Sequence, residues 1–520
     1  MSETNIPLLN HYVAVQNGTF SPRAVNGEDL SYGDNLKRIF DSEINKPENK
    51  ERPLVLFFHG GLVNEKGGVK AAEKLKDEFY DAGGYPIFYG WQSGFGETFF
   101  RNIPEYFIEQ FTGGDGIGKT KLFKILTKRL KQFVVSKVKD VVTSGTKGSG
   151  NIELVDPVSS EVEREIDEME AGPLNFDSDE MVLTKRQEEQ LEQLLSDDRK
   201  LKAELMGMLT ESIGEDGEGN VKGESFEPVE SWVSASVMEE LKKDVEVIEE
   251  GEKGPFAFAK IIKHLVQIGV AVIGRYSKGT DHGLRVTITE EILRKLYIDD
   301  IGAEFWGAMK KDTADAFKPN AEKYAGTAIL KLIKEARANG DKRKIILAGH
   351  STGAVYICNF LKNADVNELD ADAKFDVIFL AAACKFSLFA NTLENHQDRI
   401  RSIRNFGMKD RVEQADKLVP VLYTASLLYL VSGLLEKNED GDLIVDAPIV
   451  GMQRYYEDRK PYNNDSAVQK GKAFLANKNV WSVVTGTDGW ESESKRHIDF
   501  DDDPKTRKSV GEIIKSIVNQ

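Results

Sequence analysis

Residues 344–364 read KIILAGHSTGAVYICNFLKNA. Lys344–Gly349 is a short apolar run rich in β-branched residues, the pattern of a strand buried on both faces. Ala354–Ala364 carries its apolar residues at helical spacing. Between them stands Gly349-His350-Ser351-Thr352-Gly353, the one G-x-S-x-G of the chain. Chance alone gives such a pattern about 0.2 times at this glycine content, so the flanking strand and helix carry the reading. On a strand-to-helix turn the serine hydroxyl is exposed at the sheet edge, and the helix N-terminus faces developing negative charge.

Five further runs read as buried strands: PLVLFFH (53–59), YPIFYGW (85–91), FDVIFLAAA (375–383), IRSIRNFG (400–407) and VWSVVTG (480–486). Helical patterns such as GVKAAEKLKDEFYDAG and AEKYAGTAILKLIKEARANG lie between most of them. That alternation predicts βαβ units and a mostly parallel sheet covered by helices on both faces. The 252 residues from 92 to 343 far exceed a crossover helix. Helical periodicity over Lys119–Val142, Thr184–Leu209, Trp232–Glu250 and Phe256–Ile273 makes this stretch a large helical insertion, joined by polar linkers at 143–180 and 214–223. The expected division is 1–92 and 301–520 for the core, with 93–300 as a helical insert or lid whose acidic linkers offer a docking surface for a protein partner.

A serine hydroxyl needs a base, and the base needs an orienting group. His497, on a loop between the last strand and the last helix, is the expected base. Asp410, directly after IRSIRNFGM, is the expected acid, with Glu413 and Asp416 as rivals close by. His396 precedes the acid among polar residues; His11, His264 and His282 have no suitable context; His350 is expected to be structural. Asp503 and Pro504 predict a helix start after His497. An oxyanion hole requires two backbone N–H groups. Thr352 is expected to supply one, and Gly61 or Leu62 in FFHGGLVNEKGG (57–68) the other.

These features together resemble the α/β-hydrolase superfamily. PLVLFFHGGL, LAAACKFSLFANTL, SLLYLVSGLLE, PIVGMQRY and HIDFDDDPKT are similar to segments of bacterial esterase- and lipase-like hydrolases, over about residues 50–92 and 300–520. The resemblance implies an α/β-hydrolase fold and cleavage of a small-molecule or lipid-like ester through an acyl-enzyme on Ser351. It calls for no cofactor, and no cluster of Cys, His and carboxylates has metal-ligand spacing.

Composition sets the wider limits. Eighty-six acidic against 69 basic residues give a net charge of −17, which argues against nucleic acid or an anionic membrane as the main partner. Two cysteines, Cys358 and Cys384, read as buried free thiols, and with no secretory pattern the expected location is cytoplasmic. Leu418–Leu435 is an 18-residue run without charge. A span there would put Asp410 and His497 on opposite sides of a bilayer, so it is expected inside the protein, with no transmembrane segment.

A rival motif, Gly113–Thr120 (GGDGIGKT), matches the phosphate-loop pattern and would make the chain a nucleotide-regulated or non-catalytic interaction protein. The preceding PEYFIEQF does not read as the buried strand such a loop requires. Calorimetry with ATP or GTP is therefore expected to show no binding; micromolar binding abolished in Lys119→Ala would establish the rival.

Overall fold

The structure, a computed structural model, describes residues 8–23, 25, 30–60, 65–92, 125–137, 183–202, 253–297, 301–418 and 423–520. The expected helix Trp232–Glu250, both polar linkers, Gly113–Thr120, Gly61 and Leu62 lie outside the described residues. The chain divides into two compact units, one of residues 1–101, 303–418 and 425–520 and the other of 102–302 with 419–424.

The first unit is built on an eight-stranded sheet. Its strands are β1 (Tyr12–Gln16), β2 (Thr19–Phe20), β3 (Leu54–Phe58), β4 (Tyr85–Gln92), β5 (Ile345–His350), β6 (Phe375–Leu380), β7 (Ile400–Met408) and β8 (Asn479–Ser482). They lie in the order β2-β1-β4-β3-β5-β6-β7-β8. Every pairing is parallel except β1 with β2. β3, β5 and β6 are buried at every position, as continuous apolar runs require in a sheet covered on both faces. The covering helices include α1 (Tyr32–Arg38) and α2 (Glu65–Asp81) early in the chain. Later come α6 (Ile301–Asp315), α7 (Ala325–Ala338), α8 (Gly353–Val366), α9 (Phe386–His396), α10 (Ser466–Leu475) and α11 (Pro504–Val518).

β1 and β2 lie outside the runs that periodicity predicts. HYVAVQNGTF holds their signal, an Asn-Gly turn between two short runs of β-branched and aromatic residues. Asn17 and Gly18 have φ of +50° and +74°, both left-handed, so the chain reverses in two residues. β1 then adds in parallel to β4, pairing Tyr12 with Phe88 through Gln16 with Gln92.

Strand order decides where a site can form. β4 lies on one side of β3 and β5 on the other, so the chain changes direction between them. The carboxyl ends of β3 and β5 therefore flank a crevice at a topological switch point. Phe58, at the end of β3, pairs with Gly349 at the end of β5. Phe58 also stacks on Tyr356 of α8 at a centroid distance of 4.4 Å.

The second unit is helical where described. Helix 125–137, α3 (Lys185–Ser196) and α4 (Lys253–Lys278) meet at Gly269, where a Cβ would lie 2.4 Å from Leu191 and 3.5 Å from Leu130. Thr184 and Gln187 cap α3 reciprocally. Glu290 of α5 (Leu284–Ile292) is buried and accepts from Arg275 Nη1 (2.6 Å), the Tyr423 hydroxyl (2.7 Å) and His282 Nδ1 (2.8 Å). Although burial opposes it, His282 and Arg275 hold the Glu290 carboxyl down to about 2. Among the described residues no helix is long and apolar enough to cross a membrane. Of the apolar run at 418–435, residues 425–435 are buried within the first unit.

The two glycines of the elbow motif are required by space. A Cβ on Gly353 would sit 2.2 Å from the Phe58 carbonyl oxygen, and one on Gly349 would sit 2.7 Å from the Gly353 carbonyl carbon. Gly353→Ala is thus expected to destabilise the protein by about 1–3 kcal/mol through overpacking against backbone. Gly307, inside α6 with nothing within 4 Å of its would-be Cβ, provides the opposite case. Gly307→Ala should stabilise by about 0.5–1 kcal/mol. Urea-unfolding midpoints moving in opposite directions would bear this out; equal shifts would refute it.

Candidate active site

Ser351 occupies the turn between β5 and α8 with φ +54°, a left-handed conformation that is strained for a residue with a Cβ. The neighbouring strand holds it there. Its N–H donates to the Leu380 carbonyl (2.8 Å), and its own carbonyl accepts from Ala383 (3.0 Å) and Ala354 (3.1 Å). Gly60, just past β3, comes so near that its would-be Cβ lies 3.2 Å from Ser351 Cβ. The switch point of the sheet and the serine are one place.

His497 reaches the serine from the segment after β8. Its Nε2 lies 2.9 Å from Ser351 Oγ, and both residues are 2% exposed. Burial, and then the neighbouring His350, push the His497 ring well below the usual histidine range, with Asp501 opposing. A neutral imidazole beside a serine hydroxyl has the form and distance of a general base. Asp503 caps α11 by accepting from Thr506 N–H at 2.9 Å with Pro504 in the first turn, which fixes where the His497 segment ends.

The main chain of His497 is held at both of its polar atoms. Its N–H donates to Asp416 Oδ2 (2.8 Å), and its carbonyl accepts from His350 Nε2 (3.0 Å). His350 Nδ1 faces Asp501 Oδ2 at 3.7 Å. Burial pushes the Asp416 carboxyl up to about 6, against the pull of the His497 amide.

The structure does not join Asp410 to His497. Asp410 Oδ1 accepts from the Tyr429 hydroxyl (2.7 Å), Oδ2 accepts from Gln414 Nε2 (3.0 Å), and its N–H donates to Gln453 Oε1 (3.0 Å). Arg454 Nη1 in turn donates to Tyr429 at 3.2 Å, and its side chain pairs with buried Asp446 at 3.4 Å. Asp410 is thus an anchor of a polar network beneath the segment after β7. Glu413, one turn further along the same short helix, is fully buried, and neither of its carboxyl oxygens has a hydrogen-bond partner. His497 Nδ1 is buried and without a partner too. Burial pushes the Glu413 carboxyl well above its usual range; the Ser426 hydroxyl opposes this but approaches the carboxyl without hydrogen-bond geometry.

Of the groups expected at an oxyanion hole, the Thr352 N–H follows the serine at the mouth of α8 and donates to no described residue. Gly61 and Leu62 lie outside the described residues. Three other histidines are engaged elsewhere. His396 pairs with Asp365, His11 Nδ1 bonds the Pro86 carbonyl at 2.7 Å, and His282 belongs to the Glu290 network. Cys358 and Cys384 are buried and free, and no group of side chains among the described residues could hold a metal ion.

Sequence reasoning missed Asp501 and treated Asp416 only as a rival acid. Asp501 sits in a run of three aspartates, DDD at 501–503, in which nothing local separates a helix cap from a partner for a histidine on another strand. No family model, no curated protein and no solved structure matches this chain.

Proposed function

We propose that this protein is a serine hydrolase of the α/β-hydrolase type that cleaves a carboxylic ester through an acyl-enzyme on Ser351. The observation that carries the reading is one contact: a serine at positive φ on a strand-to-helix turn, its Oγ 2.9 Å from the Nε2 of a buried, neutral histidine. That strained turn is supported by backbone bonds from a neighbouring strand, as expected where strain serves function.

In this reading Ser351 Oγ attacks the ester carbonyl carbon as its proton passes to His497 Nε2. The Thr352 N–H faces the resulting oxyanion at the N-terminus of α8. The tetrahedral intermediate collapses with cleavage of the ester C–O bond, and His497 returns its proton to the departing alkoxide. Water then attacks the acyl group by the same route, releasing a carboxylic acid and restoring the serine. Because both residues are buried, a substrate reaches Oγ only as covering groups move. Fluorophosphonate labelling lost in Ser351→Ala, together with a fall in p-nitrophenyl ester hydrolysis of at least about 10³-fold, is the expected result. Undiminished hydrolysis by the Ala variant would sink the proposal.

For the orienting acid, the geometry favours Glu413 over Asp410. Both Asp410 oxygens already accept hydrogen bonds, whereas Glu413 and His497 Nδ1 are buried polar groups without partners. Three residues on, Asp416 touches the His497 main chain, so the short helix and the base share one neighbourhood. A carboxylate accepting Nδ1–H would leave Nε2 free to take the serine proton, and the bond would lower the Glu413 carboxyl again. Glu413→Gln is expected to reduce kcat/KM by up to about 10⁴-fold, and Asp410→Asn by less than about tenfold. The reverse ranking would return the role to Asp410.

A further inference from the structure

His350, adjacent to the nucleophile, has a place in the geometry that ester cleavage alone does not use. Its ring and that of His497 lie 5.3 Å apart at 32°. Both histidines are buried, at 3% and 2% exposure. Two imidazolium ions at that separation in a poorly solvated site repel strongly, so only one of the pair can carry a proton charge. The neighbours decide which. Asp501, itself buried, faces His350 Nδ1 at 3.7 Å, and Asp502 adds its charge from the same segment. His59, at the end of β3, turns its Nδ1 to the Gly60 carbonyl at 2.6 Å and is held neutral by burial, down to about 4. On the other side, His350 Nε2 meets the His497 carbonyl at 3.0 Å. With a hydrogen-bonded carbonyl at Nε2 and a buried carboxylate within ion-pair reach of Nδ1, though beyond hydrogen-bond distance, the surroundings of the His350 ring suit the protonated form.

We infer that His350 is a positioning residue for the base: its protonated ring, paired with Asp501, holds the main-chain carbonyl of His497 and keeps the His497 ring neutral. The inference rests on the Ser351–His497 reading. Burial acts against charge on His350, but Asp501 outweighs it and the ring lies above the usual histidine range, while Asp501 lies below that of a carboxylate. The signs agree with the geometry. His350 stays charged as pH rises through the value of an isolated histidine, and His497 stays a competent base as pH falls through it. The groups facing His497 are Ser351 on its Nε2, Asp416 on its N–H, His350 on its carbonyl, and Asp501. Of these, His350 alone combines a bond to the main chain with a charge that repels a proton on the ring.

Two readouts on the full-length chain test this. Side-chain nitrogen NMR with labelled histidine should show the resonance lost in His350→Gln to be doubly protonated at pH 7, with the His497 ring neutral. A neutral His350 ring at pH 7 overturns the inference whether or not the protein is a hydrolase. The second readout is the pH dependence of Ser351 labelling by a fluorophosphonate. His350→Gln places an N–H donor near the position of Nε2 without the charge. It should move the acid limb upward by about one to two pH units and lower the plateau by less than about tenfold. His350→Leu loses the donor as well and should lower the plateau by a further factor of about ten or more, with thermal unfolding used to confirm that it folds. An acid limb unmoved in His350→Gln overturns the inference while leaving the hydrolase reading intact. Wild-type protein that takes no label at Ser351 overturns that reading instead, and the ring titration still decides the charge of His350.

Discussion

The start of α8 lies directly against the end of β3, with the carbonyl oxygen of Phe58 where a side chain at 353 would begin. Much of the first unit depends on that contact. It draws the turn after β5 tight enough to put Ser351 at φ +54°, and it brings Gly60 against the serine. It also sets the ring of Tyr356 on that of Phe58. Because β3 and β5 flank the point where strand order reverses, the tight turn and the crevice coincide.

The first unit also buries several carboxylates, and three of them share a feature. Asp376 on β6 is met by Arg401 and by the Ser402 hydroxyl on β7. Glu436 accepts from Trp306 Nε1 and Lys310 Nζ, each at 2.6 Å. Asp446 is met by Arg454 and by the hydroxyls of Tyr455 and Tyr462. Each carboxylate is paired and hydrogen-bonded, the condition under which burial of charge is not prohibitive. Glu413, buried with neither carboxyl oxygen in a hydrogen bond, stands apart from these three.

The fold was largely legible from residue pattern. Six runs predicted as strands coincide with β3 to β8 to within a few residues, because continuous apolar segments bounded by helices have few alternatives in a covered parallel sheet. The start of α11 at Asp503 and Pro504 was legible for a similarly local reason. The first two strands were missed although the Asn17-Gly18 turn was in plain view: β2 is a two-residue edge strand with no periodicity to detect, and β1 is a five-residue run with no alternation.

At the site the division falls elsewhere. Residue types and their order along the chain determined by themselves that a serine sits on a strand-to-helix turn, that carboxylates follow β7 and that a histidine follows the last strand. These are properties of local backbone and need no knowledge of what packs on what. Which partners Asp410, Glu413 and Asp416 take was not determined, because the three lie within seven residues of one another and point in different directions. Nor could order reveal that His350 Nδ1 and Asp501 Oδ2, 151 positions apart in sequence, lie 3.7 Å from each other beside His497. Only the tertiary structure decided these, because direction of a side chain, loss of water and the approach of opposite charge arise when distant strands are brought to one sheet edge.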